Sequence, residues 1–567
     1  MSICGYDAVN LRKEESKPME RDYSFLDTMI RGGHFDKKAY DHVPPRTYKE
    51  VCADLPRPLA AGRPDWEEIY DYAVKVLFTN IHRPEDGSGF VSNFVDAAFN
   101  DDIFMWDTVF MTFFCNLLHP FVPGICSLDN FYCKQMDDGE IPREMVRKTG
   151  TDFKLWVNAF NSPLYSYFHN HYGFRRLKEL TDLPYEEMYK PDLGRRVEKN
   201  PYLTLDNLNH PLLALAEWES YCHTRDSGRL KLVLEPLYHY YRALRYHLRH
   251  QNGLYVTDWA SMDNSPRNKY LGLAVDTSCE MALFARNLCD IMKELKCLGN
   301  QAEGFDSRIR ELEEDYRQLA QNINDSMWNG EDGFYYDVTF AGRQTGIKTI
   351  AGFFPLIAGI ADEEQAGRLS MWLDDQDTFN RRHRIPVLAA DEDGYQPRGG
   401  YWSGSVWAPT NALVVRGLEQ NGFHSQAKDI ALNHLEALSR VYQDTGTIWE
   451  NYPADELTSG DSDNRDFVGW SGLAPILYLI EYGIGLSLSR DTKDITLRWE
   501  ISDDLVARGR LGCRNYWFAG KTADLEAVPA AGRLKITICT REEFSLQVIY
   551  RGGVHEIAVK GNLEVEI

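Results

Sequence analysis

The sequence predicts a mainly α-helical protein, with paired helices arranged in a ring and a small β-sandwich at the C-terminal end. Three observations predict it. About a dozen segments between residues 65 and 485 place apolar residues at helical spacing. Glycine- and aromatic-rich loops, rather than strands, join them. Beyond Gly485 the text changes to short, partly alternating stretches of the kind that form strands.

Residues 1–60 are polar and broken by Pro44, Pro45, Pro56 and Pro58, so they read as an N-terminal extension packed on the main body. Helices are expected near 65–80, 108–119, 127–136, 163–181, 211–225, 227–250, 276–297, 304–328, 350–360, 363–375, 405–421, 423–442 and 468–483. Phe305, Ile309, Leu312, Tyr316, Leu319, Ile323 and Met327 step by fours and threes, which marks one helix face. Met281, Phe284, Leu288, Ile291, Leu295 and Leu298 do the same, as do Ala427, Ile430, Ala431, Leu438 and Val441. No repeat of fixed period aligns, so a regular solenoid is not supported. The helical domain is expected over 61–484. The β-sandwich follows over 485–567, with strands at Ile495–Ile501, Leu534–Thr540, Phe544–Tyr550, Val554–Lys560 and Leu563–Ile567.

Composition removes several function classes. Lys and Arg total 62 against 85 for Asp and Glu, a net charge of −23, and no basic run interrupts it. Such a chain repels nucleic acid and anionic membrane surfaces. The 11 cysteines form no CxxC pair, which fits free thiols in a reducing compartment. The first residues lack the apolar core of a signal peptide, and no run approaches the ~18 apolar residues of a membrane span. A soluble, cytoplasmic protein is expected. His169-x-His171 lacks a third zinc ligand, and neither GxGxxG nor a P-loop occurs, so no metal and no cofactor are expected.

Four loops concentrate aromatic and ionisable residues: Phe104-Met105-Trp106-Asp107-Thr108, Trp259 to Arg267, Gly399 to Trp407, and Ile448 to Pro453 with Trp470 beyond. Each sets Trp beside a polar group. A sugar pocket uses that pairing, because the ring stacks on the pyranose while the polar atom binds hydroxyls. Cleaving a glycosidic bond needs two carboxyl groups, one protonated to help the leaving oxygen and one ionised to act on water or the anomeric carbon. Asp263 and Glu450 suit those tasks. They lie 187 positions apart (450 minus 263), so only a closed fold joins them. Apolar Met262 and nearby Trp259 favour a neutral Asp263, while Asn451 and Tyr452 are placed to orient an ionised Glu450. Taken singly, each loop has a plainer reading: Asp107 as a helix cap, Asp263 as a turn residue, the tryptophans as core, Glu450 as surface.

Asp263-Asn264-Ser265-Pro266-Arg267 resembles the segment carrying the general acid in glycoside hydrolase family 63. Tyr401-Trp402-Ser403-Gly404-Ser405-Val406-Trp407 is similar to that family's Tyr-Trp-Arg-Gly-x-x-Trp loop, and Trp449-Glu450-Asn451-Tyr452 to its general-base segment. Met327-Trp328 through Asp337 and His210-Pro211-Leu212-Leu213-Ala214 also look like features of these hydrolases, with His where Pro is usual. The resemblance covers about residues 65 to 485 and is nearest to shorter members such as mannosylglycerate and glucosylglycerate hydrolases. It departs at Ser403, where the family usually has Arg, and at Ala260-Ser261-Met262, where Glu-Ser-Gly is more usual. The resemblance implies an (α/α)6 barrel, as in the related trehalases, and an inverting mechanism with Asp263 as acid and Glu450 as base. It also implies a sugar subsite lined by Trp106, Asp107, Trp259, Asn264, Arg267, Tyr401, Trp402, Trp407, Trp449 and Trp470.

The expected activity is that of an exo-acting, inverting α-glycosidase on a small carbohydrate, α-glucosides first, then α-mannosides and α-galactosides. A disaccharide phosphorylase would replace the base by a phosphate site, against the presence of Glu450. A sugar isomerase or epimerase would work through histidines such as His169, His171, His210 or His383, none of which lies in the four loops. A non-catalytic carbohydrate binder would not need both carboxylates. Inversion sets the two carboxyls ~6.5–9.5 Å apart, leaving room for a water.

Overall fold

The computed structural model describes residues 33–135, 139–150, 210–255, 262–269, 272–300, 302–460, 464–493, 495–530 and 532–567. The helix expected over 163–181, the pair His169 and His171, and Trp259 lie outside them.

The long helices are α1 (Pro64–Thr79), α2 (Met105–Cys115), α3 (Leu213–Thr224), α4 (Ser227–Leu248), α5 (Val275–Cys297) and α6 (Phe305–Met327). They continue with α7 (Phe354–Ala358), α8 (Glu363–Asp374), α9 (Ala408–Gln420), α10 (His424–Thr445) and α11 (Ala474–Ile484), the last wound as a π-helix. Their boundaries follow local chemistry. Pro64 opens α1 with Asp65 and Glu67 in the first turn, where acidic side chains meet the positive end of the helix. Asp362 and Gln365 form a reciprocal cap on α8. Left-handed Gly446 and Gly485 end α10 and α11.

Burial separates two kinds of helix. On α5 nearly every side is buried, whereas α6 buries one stripe, Phe305, Ile309, Leu312, Leu319, Ile323 and Met327. A helix apolar all round belongs inside, and one with a single stripe covers it. The contacts agree. Along the inner layer α2 meets α3, α3 meets α5, α5 meets α7 and α7 meets α9. Then α9 meets the turn Ser471–Leu473 that leads into α11, and this turn and α11 return to α2. Outside, α4 covers α3 and α5, α6 covers α5, α10 covers α9 and α11, and α1 lies on α10 and α11. Gly417 lets α9 close on α7: a Cβ there would stand 2.8 Å from Leu356 Cβ and 2.9 Å from the Ile357 nitrogen.

The connections contain more strand than expected. Asp102–Phe104 pairs with Glu144–Val146, Trp328–Asn329 with Phe334–Tyr335, and Ser405–Val406 with Tyr452–Pro453. These ladders are too short to show as alternation in sequence.

The C-terminal strands form two sheets. With β1 (Arg57–Ala60), β2 (Leu486–Leu488), β3 (Thr496–Glu500), β4 (Leu511–Phe518), β5 (Lys521–Ala530), β6 (Arg533–Thr540), β7 (Glu543–Tyr550), β8 (Gly553–Lys560) and β9 (Leu563–Glu566), the orders are β1-β4-β5-β6-β9 and β2-β3-β7-β8. Phe518 and Phe544 meet edge to face between the sheets, with centroids 5.0 Å apart. The N-terminal segment is therefore more than an extension laid on the helices: β1 is an antiparallel edge strand on β4, Arg57 opposite Arg514 and Ala60 opposite Leu511. The Trp499 indole donates to the Ile484 carbonyl at 3.0 Å and ties β3 to α11.

Among the described residues no helix is long and apolar enough to cross a membrane, and no group of three or more His, Cys, Asp or Glu is placed to hold a metal ion. The ten described cysteines are free.

Candidate active site

One pit of about 830 Å³, counting the space open at its mouth, collects residues from all four aromatic loops. The helices explain the convergence. Trp106 and Asp107 lie in the first turn of α2, Asp276 in that of α5, Phe354 begins α7, and Thr410 lies in the first turn of α9. His210 precedes α3, Trp407 precedes α9, and Trp470 precedes the turn into α11. The inner layer thus presents its N-terminal ends to the pit, and their positive partial charge offsets the carboxylates gathered there.

Trp402 and Trp407 stack face to face at 4.0 Å and 9°, with Tyr401 edge-on to Trp407 at 4.8 Å. Trp470 lies 5.3 Å from Trp407 and 5.5 Å from Trp106, so the wall is continuous. The ladder Ser405–Val406 against Tyr452–Pro453 brings this wall beside Glu450. Gly404 is required in the turn, since a Cβ would stand 2.4 Å from the Gln396 carbonyl oxygen.

Glu450 is buried. Its carboxylate accepts from the Tyr401 hydroxyl at 3.0 Å and from the Asn464 amide at 2.8 Å, while its carbonyl accepts from the Trp470 indole at 2.6 Å. Burial pushes its pKa up to about 7, partly offset by Tyr401 and Asn464 and reinforced by the charge of Asp263. Asp263 follows Met262, whose φ of 75° is left-handed. Water reaches the Asp263 side chain, yet the pit walls strip away much of its hydration and push its pKa up to about 6, against the pull of Arg143 and His210. Asp107 is buried and pushed well above the carboxylate range, by burial first and then by Glu450 and Glu144, against its own backbone bond.

The other described residues expected there, Asn264, Arg267 and Trp449, do not line the pit, because their polar atoms are committed elsewhere. Asn264 clamps two loops together: its amide donates to the Gly400 carbonyl at 2.9 Å, its side-chain oxygen accepts from the Trp402 N–H at 2.8 Å, and its carbonyl accepts from Ser403 Oγ at 3.0 Å. Arg267 is fully buried and forked onto Asp276 through two 2.9 Å bonds and onto Asp337 at 2.9 Å. Trp449 turns its indole to Thr445 Oγ1 at 3.1 Å, outside the pit. Asn451 and Tyr452 do not orient the Glu450 carboxylate: Asn451 accepts from Ser405 Oγ at 2.7 Å, and the Tyr452 hydroxyl accepts from the Trp449 N–H at 2.9 Å. Tyr401 and Asn464 take that place.

Sequence reasoning missed Phe99, Phe104, Arg143, His210, Asp276, Phe354 and Thr410 as lining residues. Two of them carried a local signal: Phe104 belongs to the first aromatic loop, and His210 stands three residues ahead of a helix start. His383 lies elsewhere, buried 2.6 Å from His434.

Comparisons with known proteins bear on the fold and on part of the sequence. Residues 195–471, just under half of the chain, match the model of the Mannosylglycerate hydrolase MGH1-like glycoside hydrolase domain. An uncharacterized protein of Borreliella burgdorferi is 30% identical over 310 residues, 52% of this chain and 63% of its own length. A mannosylglycerate hydrolase of Thermus thermophilus is 30% identical over 119 residues, 20% of this chain and 28% of its own. The crystal structure of a GH63 mannosylglycerate hydrolase from Thermus thermophilus in complex with glucose superposes with a TM-score of 0.52 at 19% identity, covering 72% of this chain and 99% of that one. The chain spans less than two thirds of the length of these curated relatives. The matched domain and the shared fold are both those of glycoside hydrolases. Within that class, residues 195–471 are similar to the mannosylglycerate hydrolase-like domain, and the fold is that of the solved GH63 enzyme.

Proposed function

We propose that the chain is an inverting, exo-acting α-glycosidase whose helices close an (α/α)6 toroid over 61–484, with 485–567 as a β-sandwich joined by the edge strand from 1–60. The closed run of inner-layer contacts and the fold shared with the solved mannosylglycerate hydrolase support the toroid. One observation carries the activity: Asp263 and Glu450 enter a single tryptophan-walled pit. Asp263, open to the pit, protonates the departing oxygen. Glu450, held by Tyr401 and Asn464, takes a proton from the attacking water. The tryptophans carry the sugar faces, and Asp107, whose burial favours its protonated form, bonds a sugar hydroxyl. Substrates are small α-glucosides or α-mannosides, with mannosylglycerate among the first to try because it names two relatives.

The test is a screen of p-nitrophenyl α-glycosides and unlabelled glycosides, with the released anomer read by NMR before mutarotation. Release of the β-anomer from an α-glycoside, at a rate independent of inorganic phosphate, is the expected result. Release of the α-anomer first would overturn inversion, and phosphate-dependent turnover would make the enzyme a phosphorylase.

The titrations add a second test. With pKa values of about 6 at Asp263 and about 7 at Glu450, one proton is shared between the two carboxyls across that interval. The productive form carries it on Asp263. Sugar binding favours that form, since it displaces water from the exposed Asp263 while Glu450 keeps its two donors. The pH dependence of kcat/KM should therefore be a narrow bell with its maximum between those values. Tyr401→Phe removes a donor to ionised Glu450 and raises its pKa further. The alkaline limb should then move up while the maximum falls, because less of the shared proton resides on Asp263. A profile unmoved by Tyr401→Phe would detach Glu450 from the titration.

A further inference from the structure

His210 stands at the pit wall three residues ahead of α3, in a segment with none of the aromatic-loop signature. Its Nδ1 lies 2.9 and 3.0 Å from the two oxygens of Glu280, a buried residue on α5. With its proton on Nδ1, the ring donates between the two Glu280 oxygens, the arrangement that the paired distances favour. Burial opposes charge on the imidazole, but Glu280, helped by Asp276 against Arg267, outweighs it and raises the His210 pKa. The ring lies 5.1 Å from Trp106 at 32°, which fixes its plane beside the aromatic wall. Among the described residues Nε2 has no hydrogen-bond partner, yet it is not one of the sealed polar atoms, and the side chain keeps 14% exposure. With Nδ1 committed to Glu280, Nε2 is the ring nitrogen left to meet a ligand in the pit that His210 lines.

We propose that His210 is a specificity-determining residue that, braced by Glu280, donates its Nε2–H to an oxygen of the sugar bound in the pit. The inference rests on the glycosidase reading of this site and adds to it a polar contact from outside the aromatic loops. A charged donor held rigid on one side discriminates more sharply than a mobile one, because an analogue lacking the matching oxygen leaves the N–H unpaired against an apolar surface.

Two variants separate donation from bracing. His210→Asn keeps an amide near Nδ1 for Glu280 and deletes the outer donor. His210→Gln reaches toward the Nε2 position and gives up the Glu280 contact. The probes are the p-nitrophenyl α-D-glucopyranoside and α-D-mannopyranoside with their 2-, 3-, 4- and 6-deoxy analogues. His210→Asn should raise KM ~10-fold or more with little change in kcat and an unchanged melting temperature. For one deoxy analogue the parent and His210→Asn should be equal, because the acceptor oxygen is gone from both comparisons. His210→Gln should recover part of the lost affinity. A KM unchanged in His210→Asn, or a penalty equal across all analogues, overturns the proposal and leaves His210 as scaffold. Should the parent hydrolyse none of these glycosides, the glycosidase reading fails separately, and calorimetric binding of free D-glucose and D-mannose to parent and His210→Asn then decides the contact. A parent that neither hydrolyses nor binds them overturns both.

Discussion

Replacing Asp263 by Asn is expected to lower turnover by ~10²–10⁴-fold, the usual contribution of a positioned proton donor, while the melting temperature stays near that of the parent. Asp263 is an exposed side chain on a turn, so its loss should cost the fold little. Glu450→Gln should cause a loss of the same order for a different reason, and leaving groups tell the two apart. A p-nitrophenolate departs without protonation, so Asp263→Asn should keep much of its activity on the aryl glycoside and lose most of it on an alkyl glycoside. Glu450→Gln should lose both alike, because water must be activated whatever departs. Asp455, which binds Arg381 at 2.6 Å and the Tyr395 hydroxyl at 3.0 Å, is the control; Asp455→Asn should leave turnover within a few-fold. If Asp263→Asn loses aryl and alkyl activity equally, the acid lies elsewhere, with Asp258 as the next position to test.

The second large effect is on stability. Arg267→Met is expected to destabilise the helical domain by ~3–5 kcal/mol, measured as a lowered midpoint in guanidinium chloride. The guanidinium is fully buried, and Asp276 and Asp337 around it are buried as well, so its removal leaves two buried carboxylates without their cation. Arg267→Lys should recover only part, since one ammonium cannot fork onto both partners. Adding Asp276→Asn and Asp337→Asn to Arg267→Met should restore some stability by removing the stranded charges. Stability unchanged by Arg267→Met, with only KM raised, would return Arg267 to the sugar subsite that the family resemblance assigned it.

Much of the helical layer was legible because periodicity is a local property. Every expected helix that falls within the described residues has a counterpart, and Tyr316 and Leu298 show the limit: Tyr316 is half-buried in the middle of one otherwise buried stripe, and Leu298 is 49% exposed at the end of another. Strands were less legible. The strands β4 and β5 went unseen, β4 because a register shift between Cys513 and Tyr516 breaks its alternation. In β5 two of the inward residues are the small Ala523 and Ala527, and Pro529 reads as a breaker.

By itself the sequence determined which residue types gather in four loops, that Asp263 and Glu450 sit among tryptophans, and which helices are amphipathic. Tertiary structure decided what each polar atom is bonded to. Asn264, Arg267, Asn451 and Trp449 have the right chemistry for a sugar site, but partners on helices and loops between 4 and 139 positions away occupy the groups a sugar would use. His210, Arg143 and Phe354 enter the pit from segments with no aromatic-loop signature, because the inner helices converge at their N-terminal ends. A hydrogen bond is settled by distances in space, and a short stretch of chain specifies only which donors and acceptors are available to make it.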